Sequence, residues 1–466
     1  MVFSSLEFLF GYLPISLALY FLVPFKYRNF IIFAVSLAFY GWGEPVYIAL
    51  MAATIVIDYT CGYFIDKYRA NKRLAKKILI LSIVLNLGIL GFFKYCDFFI
   101  VNLSKIAFLS FLKPIGLPLP IGISFYTFQI MSYTIDVYRG EGGVQKNIIS
   151  FGAYVTLFPQ LIAGPIVRYK DIDSQLNSRE HSVALFADGA RRCVAGLAKK
   201  VLLANTAGEL FKMYQTIPSD SLSTVGAWTG ILFYTFQIYF DFSAYSDMAI
   251  GMGKMMGFTF LENFNYPYIS KSITDFWRRW HISLSVWFRD YVYIPLGGSR
   301  KGTLNTYRNL FIVWFLTGFW HGANWNYIIW GLYFFVLLVI EKAFLLKKLE
   351  KLPEFVGHIY ALFFIIMGWL IFVFEDTAAG MEYFKNMFGS AGFINSQAVY
   401  DLVRTLPLLI VLSLASTPYP KRIYYRLYDR FPSFRSAAPI LTAAVLLLSV
   451  AFLVDSGFNP FLYLIF

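Results

Sequence analysis

Apolar residues gather into runs of membrane-spanning length, separated by short polar stretches. Such runs are Leu6–Val23, Phe30–Gly41, Tyr47–Ile65, Ile78–Phe93, Ile148–Ile166, Val225–Phe242, Val356–Phe374, Leu402–Ala415 and Ala438–Val454. Shorter or Gly/Pro-broken runs lie at Phe98–Leu112, Pro118–Ile135 and Tyr291–Pro295. A bilayer core about 30 Å thick needs roughly 20 apolar residues per helical crossing. The pattern predicts an all-α polytopic membrane protein with about ten to twelve crossings, plus re-entrant and interfacial helices, as one domain over residues 1–466.

Two segments break the pattern. The 32 residues Asn309–Ile340 are almost wholly apolar but carry His321 and Asn324 at their middle, with basic residues on both flanks. As helix they extend about 48 Å, whereas two full crossings need roughly 60 Å. If positive loops mark one face, the segment enters and leaves on the same side, as a hairpin turning inside the bilayer with His321 near its tip. The stretch Gly257–Arg300 is too polar to span and too aromatic for an ordinary loop. Within it, Ile273–Asp290 reads as one amphipathic interfacial helix, capped by Ser272 or Thr274, with Phe276, Trp280, Leu284 and Trp287 on one side.

Charge sets the orientation. Lys26 and Arg28 follow the first run, the dense basic stretch Asp66–Lys77 comes two spans later, and the intervening turn Gly41–Pro45 has no Lys or Arg. The positive-inside bias then puts the basic loops in the cytoplasm and both termini outside. No positive region precedes the first run, so it is expected to be a span and not a cleaved signal peptide.

Composition agrees: 58% of residues are hydrophobic, 14% charged and 20% aromatic, and the mean hydropathy is +0.60. A net charge of +13 would suit nucleic-acid binding in a soluble protein. Here the cations sit in short loops between apolar runs, which speaks for the bilayer and its anionic headgroups and against nucleic acid. Cys61, Cys96 and Cys193 lack the spacing of a zinc site or a disulfide framework.

Chemistry narrows to few residues. Of the four histidines, His181 lies in a polar run and reads as solvated, and His358 opens an apolar span at the interface. His281 and His321 sit in dense aromatic surroundings, and an ionisable residue at membrane depth is a functional candidate. No Gly-x-Ser-x-Gly elbow, His-Glu-x-x-His pair or Walker loop occurs, and no metal-ligand set is expected. Asp241, Ser243, Ser246 and Asp247 close an apolar span, either lining a cavity or as a hydrated helix end.

Three motifs carry a resemblance: Ser272–Ser285, Trp287–Arg300 with its Tyr-Ile-Pro-Leu-Gly-Gly run, and Gly318–Trp325. Supporting patches are Phe158–Ile166, Gly368–Phe372 and Asn459-Pro460-Phe461. The chain resembles the membrane-bound O-acyltransferases, most of all their bacterial alginate-O-acetylation branch and more distantly the D-alanyl transfer protein of teichoic acid synthesis. The resemblance implies helices around a central tunnel, with His321 and His281 catalytic and Asn324, Asp290 and Trp320 in support. Arg278, Arg279 and Arg289 would bind the donor, acetyl-CoA or a carrier-protein-bound acyl thioester, with no permanently bound cofactor. It further implies a cytoplasmic-membrane location in a bacterium, an exported polysaccharide acceptor, and an extracytoplasmic O-acetyltransferase as partner. D-alanyl transfer to teichoic acid is the nearer alternative. A transporter or flippase with a histidine proton relay is the alternative of another class.

Overall fold

A computed structural model describes residues 1–455, 461 and 462, and every regular element among them is helical. Among the described residues six helices are long and apolar enough to cross a membrane: Ile48–Lys67, Lys72–Leu103, Trp325–Leu349, Glu354–Val373, Ser396–Ala415 and Pro432–Asp455. The expected ten to twelve crossings also count helices that mix polar residues into similar lengths, such as Phe25–Gly43 and Thr224–Met255. Asn459 and Pro460 of the sequence motif lie outside the described residues.

The chain forms two compact units, one of residues 1–193 and 245–262, the other of residues 194–244 and 263–462. In the first unit, α1 (Ile48–Lys67), α2 (Lys72–Leu103) and α3 (Ile123–Arg139) are pinned by a buried polar knot. Ser82 Oγ donates to Asp58 Oδ1 at 2.5 Å, Asn86 Nδ2 donates to Asp58 Oδ2 at 2.7 Å, and Thr134 Oγ1 lies 3.1 Å from Ser82 Oγ. Between apolar helices in lipid the hydrophobic effect gives little drive to associate, so such hydrogen bonds specify the pairing. The basic stretch Asp66–Lys77 is mostly helix: only 68–71 lie between α1 and α2, with Asn71 Oδ1 capping α2 through the Leu74 N–H.

The second unit holds the segments that broke the sequence pattern. Its first portion includes the part of α4 (Thr224–Met255) up to Ala244. The expected single amphipathic helix is two: α5 (Ile273–Arg279) and α6 (Ile282–Phe288), followed by a π-helical turn Arg289–Tyr293. Trp280 is extended and His281 is left-handed at φ 44°, which stops one helix and starts the next. Ser272 caps α5, as expected, by accepting from the Asp275 N–H. Phe276, Trp280, Leu284 and Trp287 are all buried despite the break.

The hairpin is α7 (Thr303–His321) and α8 (Trp325–Ile340). Glycines let the arms meet: a Cβ on Gly318 would lie 2.4 Å from the Tyr327 carbonyl oxygen, and one on Gly331 would lie 2.4 Å from that of Trp314. The sequence reading understates the arms. Helix continues through a π-helical turn to Leu349, and 25 residues suffice for that arm to cross on its own. Glu341, which opens that turn, is fully buried and accepts from the Ile273 and Thr274 N–H groups at 2.6 and 2.8 Å, capping α5.

Candidate functional site

Both candidate histidines lie in the second unit, 1% and 4% exposed for His281 and His321. His321 ends α7, and three rings stand edge-on to it: Trp320, Trp330 and Phe372 at centroid distances of 5.0, 4.9 and 5.4 Å. His281 meets Phe242 of α4 at 4.7 Å and Trp320 at 6.1 Å. Trp320 is therefore packed against both imidazoles. Beyond it, Trp280 packs on Trp369 at 4.7 Å and Trp330 on Phe372 at 5.3 Å, so the histidines share one aromatic shell.

Sequence reading missed the residue that orients His281. Asn263 is fully buried, and its Oδ1 lies 3.1 Å from His281 Nδ1 while accepting from the Ser283 N–H and Oγ at 3.2 and 2.9 Å. An amide oxygen taking donors requires the proton on Nδ1, which makes Nε2 the basic nitrogen of the neutral ring. Burial pushes the His281 pKa down to about 3, so the ring is uncharged at cellular pH.

Helix ends give the turn after His321 its polarity. The imidazole stands in the last turn of α7, where the negative end of the helix dipole favours positive charge developing on it. Asn324 caps α8, where the positive end favours an oxyanion. Its Oδ1 accepts from the Trp325 N–H at 2.6 Å, which leaves the amide NH2 as the donating side.

The remaining candidates divide. Asp290 is mostly buried and bonded to Arg289 Nε at 2.7 Å, so this arginine, itself half exposed, is engaged by its neighbour. Arg279 pairs with Asp275 at 2.9 Å and reaches the Asn265 carbonyl at 3.3 Å, whereas Arg278 is exposed. Asp241 lies inside α4 and does not end a hydrated helix. It is buried against Lys200 at 2.6 Å and accepts the Leu462 N–H at 2.7 Å. In the first unit Asp247 pairs with Arg192 at 2.9 Å. His181 is not merely solvated: its Nε2 lies 2.8 Å from the Tyr20 hydroxyl and 3.1 Å from Arg28. His358 is half-buried, with Nδ1 3.1 Å from the Ser270 carbonyl oxygen.

Residues 141–381, which include His281, His321 and Asn263, match the membrane-bound O-acyltransferase family. A probable alginate O-acetylase AlgI of Pseudomonas aeruginosa is 46% identical over 83% of this chain and 75% of its own length. One of Pseudomonas putida is 41% identical over 99% of both chains. A peptidoglycan O-acetyltransferase of Helicobacter pylori is 35% identical over 84% of this chain and 80% of its own. A multi-pass membrane enzyme transferring acyl groups to oxygen, this chain belongs to the membrane-bound O-acyltransferase family.

Proposed function

We propose that the protein transfers acetyl groups from a cytosolic thioester toward the hydroxyls of an exported polysaccharide, in the cytoplasmic membrane of a bacterium. The observation that carries this reading is the pair of buried histidines on one tryptophan, Trp320, in a chain similar to two kinds of polysaccharide O-acetylating protein. In this mechanism His321 takes the proton of the attacking hydroxyl as its oxygen bonds to the thioester carbonyl carbon. The Asn324 amide NH2 stabilises the resulting oxyanion, with the positive end of the α8 dipole beside it. Collapse breaks the carbon–sulfur bond, and the leaving thiolate takes the proton back from the imidazolium. His281, fixed by Asn263, orients the donor or assists that return, and Trp320 holds the two rings apart. The acceptor is the polymer itself or a separate exported O-acetyltransferase that passes the group on.

The direct test incubates purified protein with labelled acetyl-CoA, a carrier-protein acyl thioester, or no donor, together with polysaccharide. Acetyl-CoA alone is expected to label the product. Label arriving only from the carrier would replace the donor, and none from either would remove the transferase reading. Orientation has its own check, in a background lacking the three native cysteines. A cysteine placed in 68–71 should react with an impermeant thiol reagent from the cytoplasm, and one placed between Met387 and Ser396 from outside. Reaction of both from one face would overturn the topology.

A further inference from the structure

A cationic knot in the first unit has no part in the acyl-transfer chemistry above. Arg179 is buried, yet its guanidinium meets only neutral acceptors. Its Nε donates to the Tyr20 hydroxyl at 3.2 Å, and its Nη1 donates to Asn29 Oδ1 and the Gln175 carbonyl, both at 2.9 Å. Arg28, half-buried, shares its aromatic neighbours. The Arg28 and Arg179 guanidinium carbons lie 5.0 and 5.8 Å from the centre of the Tyr20 ring, and 5.8 and 5.2 Å from that of Phe25. Neither arginine forms an ion pair among the described residues, and Glu180, next to Arg179, is exposed. Burying a charge is costly unless a partner accompanies it. Here Arg28 Nε and Arg179 Nη2 are both shut away from solvent with no acceptor among the described residues.

The knot is braced by its surroundings. Tyr20 O–H donates to the Met256 carbonyl at 2.7 Å, so His181 Nε2, 2.8 Å from that hydroxyl, is the donor of their bond. The other ring nitrogen, Nδ1, faces Arg28 Nη1 at 3.2 Å as an acceptor. At Gly257 (φ 81°) a Cβ would lie 2.8 Å from the Glu180 carbonyl oxygen and 3.1 Å from His181 Nε2, so segment 179–181 can lie this close only against glycine. Beside His181 opens a recess of about 410 Å³ whose walls include Phe21, Val183, Phe186 and Met255. Lys254, also on its wall, is already paired with Asp188 at 2.6 Å. The apolar helix Glu7–Leu22 ends here, and Leu22 and Val183 are both strongly exposed. Cations without counter-charge thus adjoin an open apolar recess at the end of a membrane-length run.

We propose that this knot binds an anionic phospholipid of the leaflet that the positive-inside bias makes cytoplasmic. The phosphate oxygens accept from Arg28 Nε and Arg179 Nη2, and the start of an acyl chain lies in the recess between Phe21 and Phe186. Two uncompensated guanidiniums favour a net negative headgroup over a zwitterionic one. The lipid joins the connection between helices Leu13–Leu22 and Phe25–Gly43 to the start of helix Val183–Ala198. Free phosphate shares the headgroup's chemistry but makes no use of the apolar recess.

The test titrates the full chain in detergent with phosphatidylglycerol, with phosphatidylcholine of the same chain length, and with inorganic phosphate. Native mass spectrometry counts the bound molecules. Wild type is expected to hold one phosphatidylglycerol about tenfold or more tightly than phosphatidylcholine. Arg28→Gln should lose about tenfold in phosphatidylglycerol affinity, the worth of one charge-assisted bond. Arg179→Lys keeps the charge without the planar fork and should lose a similar factor. Lys26→Gln, exposed and two residues before Arg28, should change affinity by less than about twofold. Unfolding temperature is a second readout: phosphatidylglycerol should raise it in wild type and not in Arg28→Gln. If Arg179→Lys elutes as aggregate, Arg28→Gln alone decides. Equal binding of the two lipids by wild type, or undiminished phosphatidylglycerol binding by Arg28→Gln, would overturn the site. Inorganic phosphate that displaces the lipid, and itself binds more weakly to Arg28→Gln, would assign the arginines to a soluble anion and overturn the lipid.

Discussion

Replacing His321 by alanine is expected to lower acetyl transfer by about 10²–10⁴-fold, the usual worth of a positioned general base, while the protein stays folded and inserted. The rings around His321 also pack on each other, with Trp330 5.3 Å from Phe372 and 6.3 Å from Trp369, so the shell does not depend on the imidazole. Labelled product formation measures the loss, and elution and thermal unfolding in detergent check the fold. Retention of more than a small fraction of product would remove His321 from the mechanism. His281 needs a different substitution, because its φ of 44° strains alanine whereas asparagine tolerates that region better. His281→Asn should be severe yet leave residual turnover, and wild-type rates in that variant would make His281 a packing residue.

The sequence carried the coarse architecture because lipid imposes long apolar helices, and it carried the hairpin because polar residues at the middle of Asn309–Ile340 mark its turn. It did not carry the break at Trp280–His281. The spacing of Phe276, Trp280, Leu284 and Trp287 suits one helix, and two short helices bury all four as well. Only a backbone dihedral separates the cases. Nothing in the sequence singles out Glu341, because it only separates the apolar run from Lys342, and tertiary packing alone gives its carboxylate the N-terminus of α5. Asn263 lies 18 residues before His281 and belongs to no periodic element, so nothing local linked them. The sole available signal was an amide among aromatics, in Asn263-Phe264-Asn265-Tyr266, within the stretch that fitted neither span nor loop. Lys200 and Asp241 are 41 residues apart, and a partner at that distance is visible only once the helices pack.

That last pair should be the costliest single point to break in the second unit. Lys200 Nζ and Asp241 Oδ1 are 2.6 Å apart, and each side chain is only 2% exposed. The other carboxylate oxygen holds the Leu462 N–H, and the ammonium sits 4.7 Å from the Phe461 ring. Lys200→Met leaves a buried carboxylate without its ammonium, which costs about 3–5 kcal/mol, and Asp241→Asn removes the same ion pair from the other side. The double variant buries neither charge, and its asparagine still has an oxygen for the Leu462 N–H. It should therefore be far more stable than the sum of the singles, with coupling read from a double-mutant cycle of unfolding in mixed micelles. Activity should follow stability, because Phe242, next to Asp241 on α4, packs edge-on against His281. Additive losses, or single variants within about 1 kcal/mol of wild type, would mean that the pair fixes neither the C-terminal segment nor the helix behind His281.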